Sequence, residues 1–186
     1  MVVALALVLA AAFGAGDQYL GSLSWHPWAA DVSLLSAPWL VLAFLAGWTQ
    51  REPRRAALVG LACTVSALTG YGLMTLSPVE NAHLTLQSAT AFAASEAPVI
   101  LGGFVTGPVF GWFGQRWRTR RAWVGALATA AAVSLEPVLR IPAGRAIRFE
   151  AVWAAEVAAG IGMTLYVAAS ARRKPGAERV ERLVEP

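Results

Sequence analysis

Apolar residues in this chain fall in long blocks, separated by short polar or charged stretches. A helix crossing the ~30 Å hydrocarbon core of a bilayer needs about 20 mostly apolar residues. Six blocks approach or exceed that length. The first runs from Met1 to about Leu20 and is interrupted only by Asp17. It lacks the Lys/Arg-bearing start of a signal peptide, so it reads as a retained helix. The second is Val32 to Gln50, and the third, Ala56 to Val79, carries no charge. The fourth, from about Leu86 to Gln115, holds a single charge, Glu96. The fifth is Ala122 to Leu139, with Glu136 inside it, and the sixth is Phe149 to Ser170, with Glu150 and Glu156. The pattern predicts an all-α, six-helix transmembrane bundle over residues 1–170. A charged tail over 171–186 follows, without a periodic apolar face.

Charge sets the orientation. Twelve of the fifteen Lys+Arg fall in the stretches 51–55 and 116–121 and in the tail. Cytoplasmic loops carry the excess of Lys and Arg. Both termini are therefore expected on the cytoplasmic side, in a bacterial cytoplasmic membrane. Tryptophans agree: Trp48, Trp112, Trp117 and Trp123 fall at the inner interface, and Trp25, Trp28 and Trp153 at the outer one. Trp39, right after Pro38, fits neither belt.

Composition narrows the classes. The chain is 57% hydrophobic and 14% charged, with a mean hydropathy of +0.55. Soluble domains carry about 25% charged residues, which argues against a soluble enzyme. The formal net charge of +4 comes from the loop arginines, so no nucleic-acid partner is implied. One cysteine, Cys63, excludes a disulfide framework and a cysteine-based metal site, and two histidines, His26 and His83, are too few for a histidine-rich one. No phosphate-binding glycine loop, nucleophile elbow or zinc-protease motif is present. Neither a metal nor a cofactor is expected.

Two stretches read alike. SAPWLVLAFLAGWTQREPRRAALVGLA begins at Ser36, and EAPVILGGFVTGPVFGWFGQRWRTRRAWVGALA begins at Glu96. Both run Ala-Pro, Phe (Phe44, Phe104), Gly-Trp, Gln-Arg, Arg-Arg-Ala and Val-Gly. This order predicts a parallel repeat of helices 2–3 and 4–5, with Pro38 equivalent to Pro98 and a site possible at the repeat interface.

Ionisable groups within a membrane are costly and mark functional candidates. They gather toward the outer side: Asp17 with Gln18 and Tyr19, then Tyr71, Glu96, Glu136 and Glu156. Glu96, about ten residues into helix 4, and Glu156 have no cation within a turn of their own helix. Both are expected to face an interior cavity shared with Trp39 and Tyr71. Structural readings compete. Glu136 and Arg140 are spaced for an i,i+4 ion pair, and Glu150 lies near Arg148. Asp17 has the composition of a solvated helix end. Glu80 and His83 read as loop residues, and His26 as interfacial. Ala6/Ala10, Ala11/Ala15 and Gly102/Thr106 have the spacing of close helix contacts.

At GDQYLGSL (Gly16 to Leu23), SLLSAPWL (Ser33 to Leu40), GLMTLSPVE (Gly72 to Glu80) and LEPVLR (Leu135 to Arg140), the sequence resembles a family of small membrane proteins of high-GC bacteria such as the actinobacteria. The resemblance covers most of residues 1–172 and implies a class, not a mechanism. The architecture is also similar to the substrate-binding subunits of energy-coupling-factor vitamin transporters. Those meet a membrane partner subunit through Ala-x-x-x-Ala on helix 1, which Ala6/Ala10 or Ala11/Ala15 would match.

Three function classes follow. The first is binding or transport of a small cationic or amphiphilic molecule by Asp17, Gln18, Tyr19, Trp39, Tyr71, Glu96, Glu136 and Glu156, through charge pairing and cation–π contact. The second resembles the small integral-membrane terpene cyclases, with Glu96 or Glu156 as a metal-independent general acid. The third is a structural or assembly protein, paired with another membrane subunit or with its own copy. Topology is directly testable. In a Cys63→Ala background, Ala82→Cys and Gly144→Cys should label from outside the cell and Thr119→Cys should not. Outside labelling at 119 would reverse the orientation.

Overall fold

Proline opens helix after helix in this chain. Pro27, Pro38, Pro53 and Pro98 each occupy one of the first two positions of a helix. There the missing N–H is not needed and the fixed φ already suits the helix. A computed structural model describes residues 2–23, 25–140 and 149–172. Among them are α1 (Val2–Ser22), α2 (Pro27–Ser33), α3 (Ala37–Trp48), α4 (Pro53–Thr75) and a 3₁₀ turn at Pro78–Glu80. They continue with α5 (Leu86–Ser95), α6 (Ala97–Arg120), α7 (Trp123–Arg140) and α8 (Glu150–Arg172). No strand occurs among the described residues. Beyond Arg172 the tail lies outside them, as does the loop bearing Arg145 and Arg148.

The expected helices differ at two places. The second block is helical as α3 only from Ala37, and it is preceded by α2, which bends by 47° into it across residues 34–36. The fourth divides at Glu96 into α5 and α6. Both breaks precede an Ala-Pro pair. A proline cannot donate a backbone bond to the preceding turn, so Pro38 and Pro98 suit the start of a new helix rather than the interior of a continuous one. At 12 residues, α3 alone is about 18 Å long, too short to cross. α1, α4, α6 and α8 are each long and apolar enough to span a bilayer, and the bent pair α2–α3 has the length and composition of a broken span or a re-entrant loop. α7 reaches 18 residues but carries Glu136 and Arg140 and falls outside that set. Among the described residues, length and composition thus mark four candidate spans, or five with the bent pair.

The outer faces of these helices are apolar. Val2, Leu5, Val8 and Leu9 on α1, Val99, Leu101 and Val105 on α6, and Ile161, Leu165 and Tyr166 on α8 are all more than half exposed. Water would not tolerate apolar faces this extensive; lipid does.

Lipid chains are as apolar as leucine, so burial alone does not hold such helices together, and close packing must. α4 sits at the centre, with α1 on one side and α3 and α6 on the other, and α7 pairs with α8. Ala10, Ala46, Val59, Cys63 and Ala67 form one core, and Phe44, Trp117, Ala126 and Val167 a second. Glycines allow the backbones to touch. A Cβ at Gly47 would lie 1.9 Å from the Gly111 carbonyl oxygen, and one at Gly14 equally near that of Ala67. The contacts therefore use Gly14, Gly47, Gly70, Gly107, Gly111 and Gly114 rather than the expected Gly102/Thr106, since Gly102 is exposed with nothing near it. Ala10 is fully buried, whereas Ala6 only packs at the edge of the first core.

Gly47→Ala should therefore lose about 1–3 kcal/mol of stability from overpacking, read as a lower melting temperature in detergent. Gly102→Ala should be neutral or gain up to about 1 kcal/mol from helix propensity. Equal effects would contradict the α3–α6 contact.

Candidate functional site

A helix break leaves N–H and C=O groups without intrahelical partners, and in a membrane interior each unsatisfied group costs several kcal/mol. At the α2–α3 break, α7 supplies the partners. Glu136 accepts from the Ser36 N–H at 2.7 and 3.0 Å and from the Ala37 N–H at 2.8 Å. One turn on, Arg140 pairs with Glu136 at 2.9 and 3.1 Å and donates to the Leu34 carbonyl. The carboxylate thus sits at the positive end of α3 and the guanidinium at the negative end of α2, matching both helix dipoles. The expected i,i+4 pair exists, and it does more than neutralise itself. Arg140 also lies 5.0 Å from the centre of the Trp153 ring.

Asp31, fully buried on α2, extends this group to α8. Its Oδ2 accepts from the Phe149 N–H at 2.6 Å and from Trp153 Nε1 at 3.1 Å. Asp31 was not anticipated, because it stands just ahead of the second apolar block. The available signal was Pro27, which marks a helix start and so puts Asp31 inside a helix. Trp153, 3% exposed, belongs to this group, and Trp117, at 7%, packs in the second core.

Glu156 lies one turn beyond Trp153, its carboxyl buried against Glu136 and Arg140. Both its oxygens are enclosed, and no donor group of the described chain meets them.

A second group forms on the other flank of α3. Trp39, in the first turn of α3, turns its indole N–H toward Asp17 on α1. Its ring lies 5.4 Å from that of Phe13 and 6.2 Å from that of Tyr71, and Tyr71 is 6.1 Å from Phe92. Four aromatic rings from α1, α3, α4 and α5 thus run side by side. Glu96, Asp17 and Glu80 are the acids nearest in effect to the Tyr71 hydroxyl. Glu80 Oε1 is buried and unpaired, so Glu80 belongs to this group and is more than a loop residue.

The structure therefore brings Asp17, Trp39, Tyr71 and Glu96 together and places Glu136 and Glu156 in a different group. Glu96 is at the α5–α6 break, half-buried, rather than deep within a helix. Glu96 and Glu156 consequently do not share one site. Gln18 is half-buried without a polar contact, and Tyr19 is 47% exposed on the outside of α1. Phe13 and Phe92 were not anticipated, because isolated phenylalanines in an apolar chain carry no signal. His26 stacks at 6.0 Å on Trp28, as an interfacial residue would. No group of His, Cys, Asp and Glu suited to a metal ion occurs among the described residues.

Glu136→Ala should lose about 3–5 kcal/mol, since it strands a buried arginine. Glu156→Gln should leave stability unchanged or raised, because its amide donates to Glu136 where two carboxylates met. Detergent unfolding of both variants checks this; a large loss in Glu156→Gln would mean that the Glu156 carboxylate itself holds the helices together.

Comparison of the chain with protein-family models, curated proteins and solved structures finds no match.

Proposed function

We propose that this is a six-span membrane protein with both ends cytoplasmic, which binds a small organic cation at the Phe13–Trp39–Tyr71–Phe92 cluster. The observation that carries the reading is the row of aromatic faces, with the carboxyl groups of Asp17, Glu80 and Glu96 beside it. An ammonium or similar head pairs with these acids, and ring faces stabilise it by up to ~2 kcal/mol where water is excluded. Glu80 Oε1, a buried acceptor without a donor, suits an N–H of the ligand. Binding falls to Asp17, Trp39, Tyr71, Glu80 and Glu96. Glu136, with Arg140, is assigned to holding the α2–α3 break.

In this reading α7 is the sixth span, its two charges turned inward. The parallel repeat gains support from the helix starts. In each copy a short helix breaks before Ala-Pro and a longer one follows (α2–α3, α5–α6). Gly47 of one Gly-Trp pair also packs on Gly111 of the other. The match is incomplete, because Phe44 is buried while Phe104 is half exposed. An acid-catalysed cyclase would need its acid among the aromatic rings, which leaves Glu96 rather than Glu156 for that role.

Thermal shift of the purified protein with choline and with its neutral isostere 3,3-dimethylbutanol tests the binding reading. Choline at 100 times its dissociation constant should stabilise by about 2.7 kcal/mol, and the isostere should not. Asp17→Asn and Glu96→Gln should fold and lose the response. No response to choline or other quaternary ammonium ions, or an equal response in Asp17→Asn, would remove this function.

A further inference from the structure

The end of the bundle opposite Tyr71 carries two arginine-rich turns, 51–55 between α3 and α4 and 116–121 at the end of α6. They are held together. Gln115, buried, donates from Nε2 to the Arg51 carbonyl at 2.7 Å, and Arg118 donates to the carbonyls of Trp48 at 3.1 Å and Thr49 at 2.8 Å. Arg51, Arg54, Arg55, Arg116, Arg118, Arg120 and Arg121 thus crowd one surface, with Glu52 the single acid in either turn. None of the seven is in an ion pair: the one salt bridge among the described residues is Arg140–Glu136.

Three of these guanidiniums are held over indole rings. Arg116 lies 4.4 Å from the Trp112 ring centre, Arg118 5.3 Å from that of Trp48, and Arg121 5.6 Å from that of Trp117. Such stacking restrains the guanidinium and leaves N–H groups for an anion, and guanidinium pairs with phosphate in a bidentate fashion. An apolar rim borders the patch: Leu45, Trp48, Leu58, Trp123 and Val124 are each more than 40% exposed.

From this arrangement we propose that the two turns form a binding site for the headgroup of an acidic phospholipid. The phosphate meets the stacked arginines, and an acyl chain lies along the apolar rim. The two halves of the argument need each other. Unpaired arginines alone call for any anion, and exposed leucine and tryptophan alone call for any lipid. An amphiphile with an anionic head satisfies both. The site is independent of the cation reading at Tyr71.

The test uses the full chain, delipidated in a neutral detergent, with dioleoylphosphatidylglycerol and dioleoylphosphatidylcholine as probes and native mass spectrometry as the readout. The wild type should retain phosphatidylglycerol at least about tenfold better at 150 mM salt. Neutralising an arginine near a membrane surface weakens such binding by about fivefold. The exposed pair Arg54→Gln/Arg55→Gln should therefore bring the preference close to one. Arg116→Gln/Arg121→Gln should do the same by removing two stacks. Should the second pair fail to fold, the first, on fully exposed residues, still decides. Three results overturn the proposal: no preference in the wild type, an undiminished preference in Arg54→Gln/Arg55→Gln, or displacement of the lipid by millimolar inorganic phosphate. The last would make it a site for a soluble anion.

Discussion

Two residues one turn apart on α7 hold both cut ends of another span. Glu136 closes the N-terminus of α3 and Arg140 takes a carbonyl at the end of α2. Each is costly within a membrane, at roughly 2.5–3.5 kcal/mol on insertion scales for a lipid-facing charge. The broken helix, however, exposes N–H and C=O groups that would cost several kcal/mol apiece if left alone. The pair and the break therefore require each other. With the two ends fixed, the 47° bend is fixed as well, and with it the place where Trp39 enters the bundle.

From that bend the rest of the packing follows. The α3 axis runs close enough to α6 that only glycine fits at 47 and 114. α4 then lies against α6 through further glycine contacts, and α1 docks on α4 through Gly14 and Gly70. The energy here is dispersion between touching backbones, and it falls off steeply with separation. A bundle built this way tolerates exchange of its lipid-facing leucines and valines but not of the glycines between its helices.

Much of the fold was legible in the sequence, because block length and charge placement follow directly from bilayer thickness and from the cost of moving arginine across it. The helix ends at Ser22, Thr75 and Arg140 lie within a few residues of where the blocks end. The two breaks were less visible. Pro38 and Pro98 signalled them, but a proline one turn inside an apolar block reads equally as a kink. Which of the two occurs depends on a partner from a distant helix, and Glu136 lies 98 residues beyond Pro38. The grouping of the acids was hidden for the same reason. Asp17, Glu96, Glu136 and Glu156 look alike along the chain, since hydropathy reports depth and not the direction in which a helix face points. Asp31 was missed because a charge beside an aromatic loop looks solvated until Pro27 is read as a helix start.

The acids therefore divide by whether the protein itself satisfies them. Glu136 has two backbone donors and an arginine, and Asp31 has an indole and a backbone N–H. These two acids are used in holding helices, while Glu156 beside them is buried without a donor but has the Arg140 guanidinium near it. Around Tyr71 the balance differs. The Trp39 N–H faces Asp17, Glu80 Oε1 is buried without a donor, and aromatic faces line the remaining side. Chemistry left unsatisfied by the fold is what a ligand can complete. That asymmetry, rather than the number of acids, separates the candidate site from the scaffold that supports it.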